Sequence, residues 1–163
     1  MPDGSSTGIG VSVKRKEDYR FLVGEGNYTD DINRPNQTYS YMLRSSSAHA
    51  KFTVDTSNAS KSNGVVKIFV GSDMDVGSIP CGWQVDSKDG TPMREPAHPP
   101  IAKDKVKYVG EILAVVIAET LDDAKNAAEL IEVNYEDIPV IMNMKDAVDS
   151  SNGLVHEEIE SNI

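Results

Sequence analysis

At 163 residues the chain has the length of one domain with a real core, and 39% hydrophobic against 26% charged residues is an ordinary globular balance. A net charge of −10 excludes the basic footprint that nucleic acid or an anionic membrane surface demands, and no apolar run approaches the ~18 residues needed for membrane insertion as a helix. One cysteine, Cys81, rules out an internal disulfide, a four-thiolate iron–sulfur cluster and a cysteine-rich zinc site, and it fits a reducing, cytoplasmic setting.

Residues 1–13 are Gly/Ser-rich and read as a flexible lead-in without the apolar segment of a secretory signal. Without a signal, the sequons at Asn27, Asn36 and Asn58 are chance matches. Lys14-Arg15-Lys16 is followed at once by Glu17-Asp18, a solvated helix start, and Glu17–Leu22 predicts a short helix. Gly24-Glu25-Gly26 has the first two glycines of a dinucleotide fingerprint. The third glycine and the following helix are missing, so it reads as an ordinary turn. Asp30-Asp31 is an acidic pair that could meet a cation but reads as solvated surface.

Thr38–Arg44 predicts a strand with Tyr39, Tyr41 and Leu43 inward, and Ala50–Thr56 a second with Phe52 and Val54 on one face. His49 lies between them, and a hydrogen bond within its own loop is the ordinary expectation against ligand contact. A polar turn or short helix over Thr56–Asn63 precedes a third strand, Val65–Val70. Gly71–Asp104 then shows no periodicity and carries many Gly and Pro residues, the sole Trp83, and His98-Pro99-Pro100. An irregular segment of that length is a functional or partner-supported loop, with Trp83 as its anchor.

Lys107–Tyr135 reads as a strand–helix–strand unit. Ile112–Ala118 is continuously apolar, the pattern of a strand covered on both faces. Thr120 stands at the N-cap with Asp123 at capping-box spacing, and Leu121, Ala124, Ala128 and Ile131 share one face of a helix from about Leu121 to Leu130. Ile131, Val133 and Tyr135 then alternate with polar residues, a half-buried strand. Met144–Val148 predicts one more helical turn, and a polar tail follows from Asp149. Glu111, beside Gly110, could be a general base, but it has no acid–base partner nearby and reads as a turn residue. His49, His98 and His156 have no metal-binding spacing, and no catalytic triad order, P-loop or nucleophile elbow is present.

Four segments in order resemble one family. They are Arg15–Asp18 with Gly24 and Tyr28–Asp31; Arg44–Ala50 with Asp55; Lys105–Glu111 with Val115–Glu119; and Val133–Glu136 with Pro139-Val140. Together they resemble the N-terminal α/β hammerhead domain of molybdenum hydroxylase large subunits: xanthine dehydrogenases, aldehyde oxidases and carbon-monoxide-dehydrogenase-type enzymes. Val155–Glu158 and Asn162 are similar to that family's exit from the domain, and Met1 with Val109-Gly-Glu111 is similar to the bacterial, separately encoded subunits.

The resemblance implies an α+β fold with a mixed β-sheet, one main amphipathic helix and short additional helices. It implies a lead-in over 1–13, a hammerhead domain over 14–148, and an exit segment over 149–163 toward a molybdopterin-binding region. The implied function is the non-catalytic N-terminal part of an enzyme oxidising aldehydes, N-heterocycles or related small substrates with water as oxygen source. The fragment alone would be inactive. It would carry no catalytic, cofactor-binding or metal residue; molybdopterin belongs to the rest of the large subunit, FAD and [2Fe-2S] clusters to partner subunits or domains. The alternative is a free-standing binding or scaffold module with this fold and no activity.

Overall fold

The computed structural model describes Ile9 and residues 15–163; the lead-in expected over 1–13 otherwise lies outside the described residues, as does Lys14. The chain divides into two compact units after Gln37. In the first, helix α1 (Asp18–Leu22) ends in a Schellman closure: Gly24 N–H donates to Phe21 O at 3.2 Å and Glu25 N–H to Arg20 O at 2.8 Å. Gly24 takes φ of 77°, which a side chain would resist, so the first glycine of the Gly-Glu-Gly turn is used in closing a helix.

The second unit is built from six strands, β1 (Tyr39–Arg44), β2 (Ala50–Asp55), β3 (Val65–Val70), β4 (Lys105–Val106), β5 (Ile112–Ala118) and β6 (Glu132–Asp137), with helices α2 (Leu121–Glu129) and α3 (Met144–Val148). The α+β class is the expected one, but a single mixed sheet is not what forms. The strands make two three-stranded sheets, ordered β1-β5-β3 and β4-β2-β6, and every pairing is antiparallel. The reason lies at β5. Both of its edges are taken, by β1 and by β3, so the strand that follows α2 cannot pair beside it and joins β2 instead.

Helix α2 seals one face of the first sheet. Its Ala124, Ala127 and Ala128, with Ile131, meet Ala114, Val116 and Ala118 of β5 and Ile68 of β3. Alanine favours the helix and lets it lie close on the strands. Thr120 caps the helix as predicted, accepting from Asp123 N–H at 3.0 Å, while the Asp123 carboxylate takes the threonine hydroxyl at 2.6 Å. Leu121 departs from the expected inward stripe and is 41% exposed, because it sits in the first turn at the stripe's margin. Ala127, absent from that stripe as predicted, is fully buried.

A second cluster gathers Ala50, Phe52, Ala102, Val106 and Leu113 between the second sheet and the root of β5. Leu113 is 0% exposed, and burial of such a side chain stabilises by about 2 kcal/mol. Strand β4 has only two residues, too few to show a period in sequence. Gly71 lets the chain pinch together there: a Cβ on it would lie 2.2 Å from Ala102 O.

Candidate functional site

Among the described residues, the buried polar side chains are Ser45, His49 and Glu111, and all three lie on connectors at one end of the two sheets. The β1–β2 connector is tied to the turn before β5 by Ser45 N–H donating to Glu111 O and Gly110 N–H donating to Ser45 O, each at 2.8 Å. Arg44 Nη1 donates to Gly110 O at 2.8 Å. The Glu111 carboxylate accepts from Lys107 N–H at 2.6 Å, which closes the turn from inside. Glu111 is therefore a buried turn brace. Its charge, after burial, also holds the Tyr108 phenol above its ordinary pKa, with Arg44 opposing.

His49 does not bond within its own loop. Its Nδ1 lies 2.9 Å from Pro139 O, ninety residues away in sequence. A carbonyl only accepts, so Nδ1 carries the proton and Nε2 is left as an acceptor, buried and without a hydrogen-bond partner among the described residues. His49 O in turn accepts from Ile138 N–H at 2.9 Å. With Ser47 Oγ donating to Asp137 at 3.0 Å, the node fastens the end of β6 to the β1–β2 connector. These contacts join segments far apart in sequence, which no local pattern encodes. The clue legible in the sequence was the polar Arg44–His49 run between two apolar strands.

The remaining candidates scatter. His98 stacks on Tyr108 with ring centroids 6.3 Å apart. His156 sits in the stretch after α3, its Nδ1 3.4 Å from Glu158 Oε1 but without hydrogen-bond geometry. Burial, then the Lys107 charge, holds its pKa below the ordinary histidine value, against the pull of Glu158. Asp31 accepts Tyr28 N–H at 2.8 Å and so shapes a turn, with Asp30 exposed beside it. Among the described residues no three His, Cys, Asp or Glu side chains converge in a way that could hold a metal ion, and no helix is long and apolar enough to cross a membrane.

The long segment runs without helix or strand from Met74 to Asp104 and folds back on itself. Ile79 N–H donates to His98 O at 2.8 Å, Gln84 Nε2 to Glu95 at 2.7 Å, and Ser87 N–H to Thr91 O at 2.9 Å. Cys81 N–H also donates to Glu95. Trp83 is 80% exposed. Between this loop and the last residues of the chain opens a cleft of about 840 Å³, lined largely by apolar side chains including Val85, Met93, Met142, Val155 and Ile159.

Known proteins share this arrangement. The family model described as "Aldehyde oxidase and xanthine dehydrogenase, a/b hammerhead domain" matches residues 23–139. The nicotine 6-hydroxylase large subunit of Paenarthrobacter nicotinovorans is 34% identical over 86% of the chain and 17% of its own length. The carbon monoxide dehydrogenase large chain of Afipia carboxidovorans is 32% identical over 94% of the chain and 18% of its own. Among solved structures, a Cu,Mo-CO dehydrogenase superposes with a TM-score of 0.76 at 30% identity, over 93% of this chain and 18% of that one. The quinoline 2-oxidoreductase of Pseudomonas putida 86 gives 0.76 at 29%, over 93% and 19%. The chain thus spans under a fifth of the length of these relatives.

Proposed function

This chain belongs to the aldehyde oxidase and xanthine dehydrogenase a/b hammerhead family, and we propose that it is the non-catalytic N-terminal part of a molybdenum hydroxylase large subunit. The observation that carries the reading is the near end-to-end match, in sequence and in fold, to proteins that are more than five times as long as the matched part. In this reading 14–148 is the hammerhead domain and 149–163 leads toward the rest of the subunit. The complete enzyme oxidises an aldehyde, an N-heterocycle or a related small molecule, with water supplying the oxygen.

Two local features support placing the molybdenum group elsewhere in the subunit. Cys81, the lone thiol, is exposed and donates to Trp83 O at 3.2 Å. The Gly24 turn closes α1 and leads only into a single 3-10 turn over Thr29–Asp31. In this reading molybdopterin belongs to other parts of the large subunit, and FAD and [2Fe-2S] clusters to partner subunits or domains. One cysteine in 163 residues supports a cytoplasmic setting for this part of the enzyme.

The test starts from the gene. A reading frame that continues for hundreds of codons beyond Ile163, and a product that purifies with molybdenum, flavin and iron–sulfur subunits and reduces a dye with one of these substrates, meets the expectation. A stop codon directly after Ile163 and a product without copurifying subunits would favour the free-standing module.

A further inference from the structure

Strand β5 reads Ile-Leu-Ala-Val-Val-Ile-Ala, apolar at every position. Helix α2 seals the face of Ala114, Val116 and Ala118, each 0% exposed. On the opposite face only Leu113 is sealed, by the second cluster. Farther along that face, Val115 and Ile117 stay half-buried. The register fixes what lies beside them: Met42–Val115–Phe69 form one cross-strand row and Ser40–Ile117–Lys67 the next. Met42 is 42% exposed. A central strand that is apolar on both sides is what a sheet covered on both sides requires.

We infer that this open half of the first sheet's second face is the docking surface for an apolar segment of the large subunit beyond Ile163. The inference rests on the reading proposed above and adds to it where the remainder of the subunit lands. Three observations favour that occupant. The relatives that match 86% and 94% of this chain carry more than four-fifths of their own length outside the match. The patch has six side chains, far short of the ~800 Å² per partner that a stable interface between separate molecules buries, whereas a covalently joined segment docks at high effective concentration and needs less. Lys67 Nζ lies 5.7 Å from the centre of the Phe69 ring, and Arg44 Nη2 lies 3.9 Å from Met42 Sδ. Lys67 at one end of its row and Arg44 beside the patch are cations in a chain of net charge −10, so the covering segment is apolar at its centre with carboxylate at its margin.

The experiment uses the full-length enzyme with its partner subunits, carrying Cys81→Ser so that the exposed native thiol does not interfere. Met42→Cys places a thiol on the patch, and Thr53→Cys places one on the outer face of the second sheet; both native residues are exposed here. Alkylation by iodoacetamide is read peptide by peptide by mass spectrometry, each rate divided by its rate in urea. The position-42 thiol should react at least tenfold more slowly than the position-53 thiol. Ser40→Cys, in the neighbouring row, repeats the measurement should Met42→Cys fail to fold. Equal rates in an assembled, active enzyme overturn the inference and leave the proposed function standing. A chain that never assembles into a larger enzyme overturns both. A benzophenone side chain at position 42 identifies the occupant. A crosslink to a peptide beyond Ile163 supports the inference. A crosslink to residues 1–14, to a second copy or to a flavin or iron–sulfur subunit overturns it.

Discussion

The outer face of the second sheet carries Lys51, Thr53 and Asp55 on β2 and Glu132, Asn134 and Glu136 on β6, all exposed. The corresponding face of the first sheet carries Met42, Val115, Ile117 and Phe69, with only Ser40 and Lys67 polar among them. Both sheets have three antiparallel strands and both bury their other face. The difference is therefore one of destination rather than architecture. Alternation marks a face meant for water, and a continuous apolar run marks a face meant for protein. Sequence already separates the two, in Glu-Val-Asn-Tyr-Glu-Asp of β6 against Ile-Leu-Ala-Val-Val-Ile-Ala of β5.

The sharpest way to break this comparison is at the sealed face of the first sheet. Ala128→Asp puts a carboxylate where the native side chain is 2% exposed, and an unpaired charge there should cost about 4 kcal/mol. A large fall in the urea midpoint is expected; an unchanged midpoint would mean that α2 does not pack as described. Next comes the second cluster. Phe52→Ala empties a position that is 8% exposed and should cost about 3 kcal/mol, with the loss of protection concentrated in β2 and β6 by hydrogen exchange. Equal loss in α2 would show that the two clusters act as one.

Smaller effects sharpen the picture at the edges. Thr120→Ala removes the cap of α2 and should cost about 1 kcal/mol, seen as faster exchange at Asp123 and Ala124. The smallest effect is on the stretch around His156. Burial, with Lys107 behind it, depresses the His156 pKa in the folded chain. The unfolded chain then binds the proton more readily, so stability is full above the unfolded value of about 6.5 and is lost as pH falls through the folded pKa. Amides at Val155 and Ile159 should exchange faster, relative to the core, at pH 5 than at pH 7.5. His156→Asn should abolish that difference.

Local signals carried most of the elements. β3 and β5 run over the predicted residues, Val65–Val70 and Ile112–Ala118, and α3 over Met144–Val148. Thr120 caps where the sequence places it, because a cap is read from residues three apart. The division into two sheets was not legible, since it depends on which edges of β5 are already occupied, a fact about partners 44 to 79 residues away. Tyr41 shows the same limit: its place in the strand was predicted, yet it is 38% exposed on the side facing α2. The Ser45–His49–Glu111 node was hidden for a related reason. Ser45 is joined to Gly110 and Glu111 through backbone groups and His49 to Pro139 through its ring, and a polar residue in a loop looks the same in sequence whether solvated or buried.

The pinch at Gly71 has a consequence for how such a protein can change over time. With Gly71 held against Ala102, the two ends of the long segment meet at a closed neck, and Ala102 N–H already donates to Ile112 O at 2.8 Å. Length added or removed between Ser72 and Ile101 need not disturb strand register on either side of that neck. The cost of enlarging a closed loop grows only with the logarithm of its length, about 0.6 kcal/mol per doubling. The segment is thus a port for variation, where residues can be inserted, deleted or replaced while both hydrophobic clusters keep their packing.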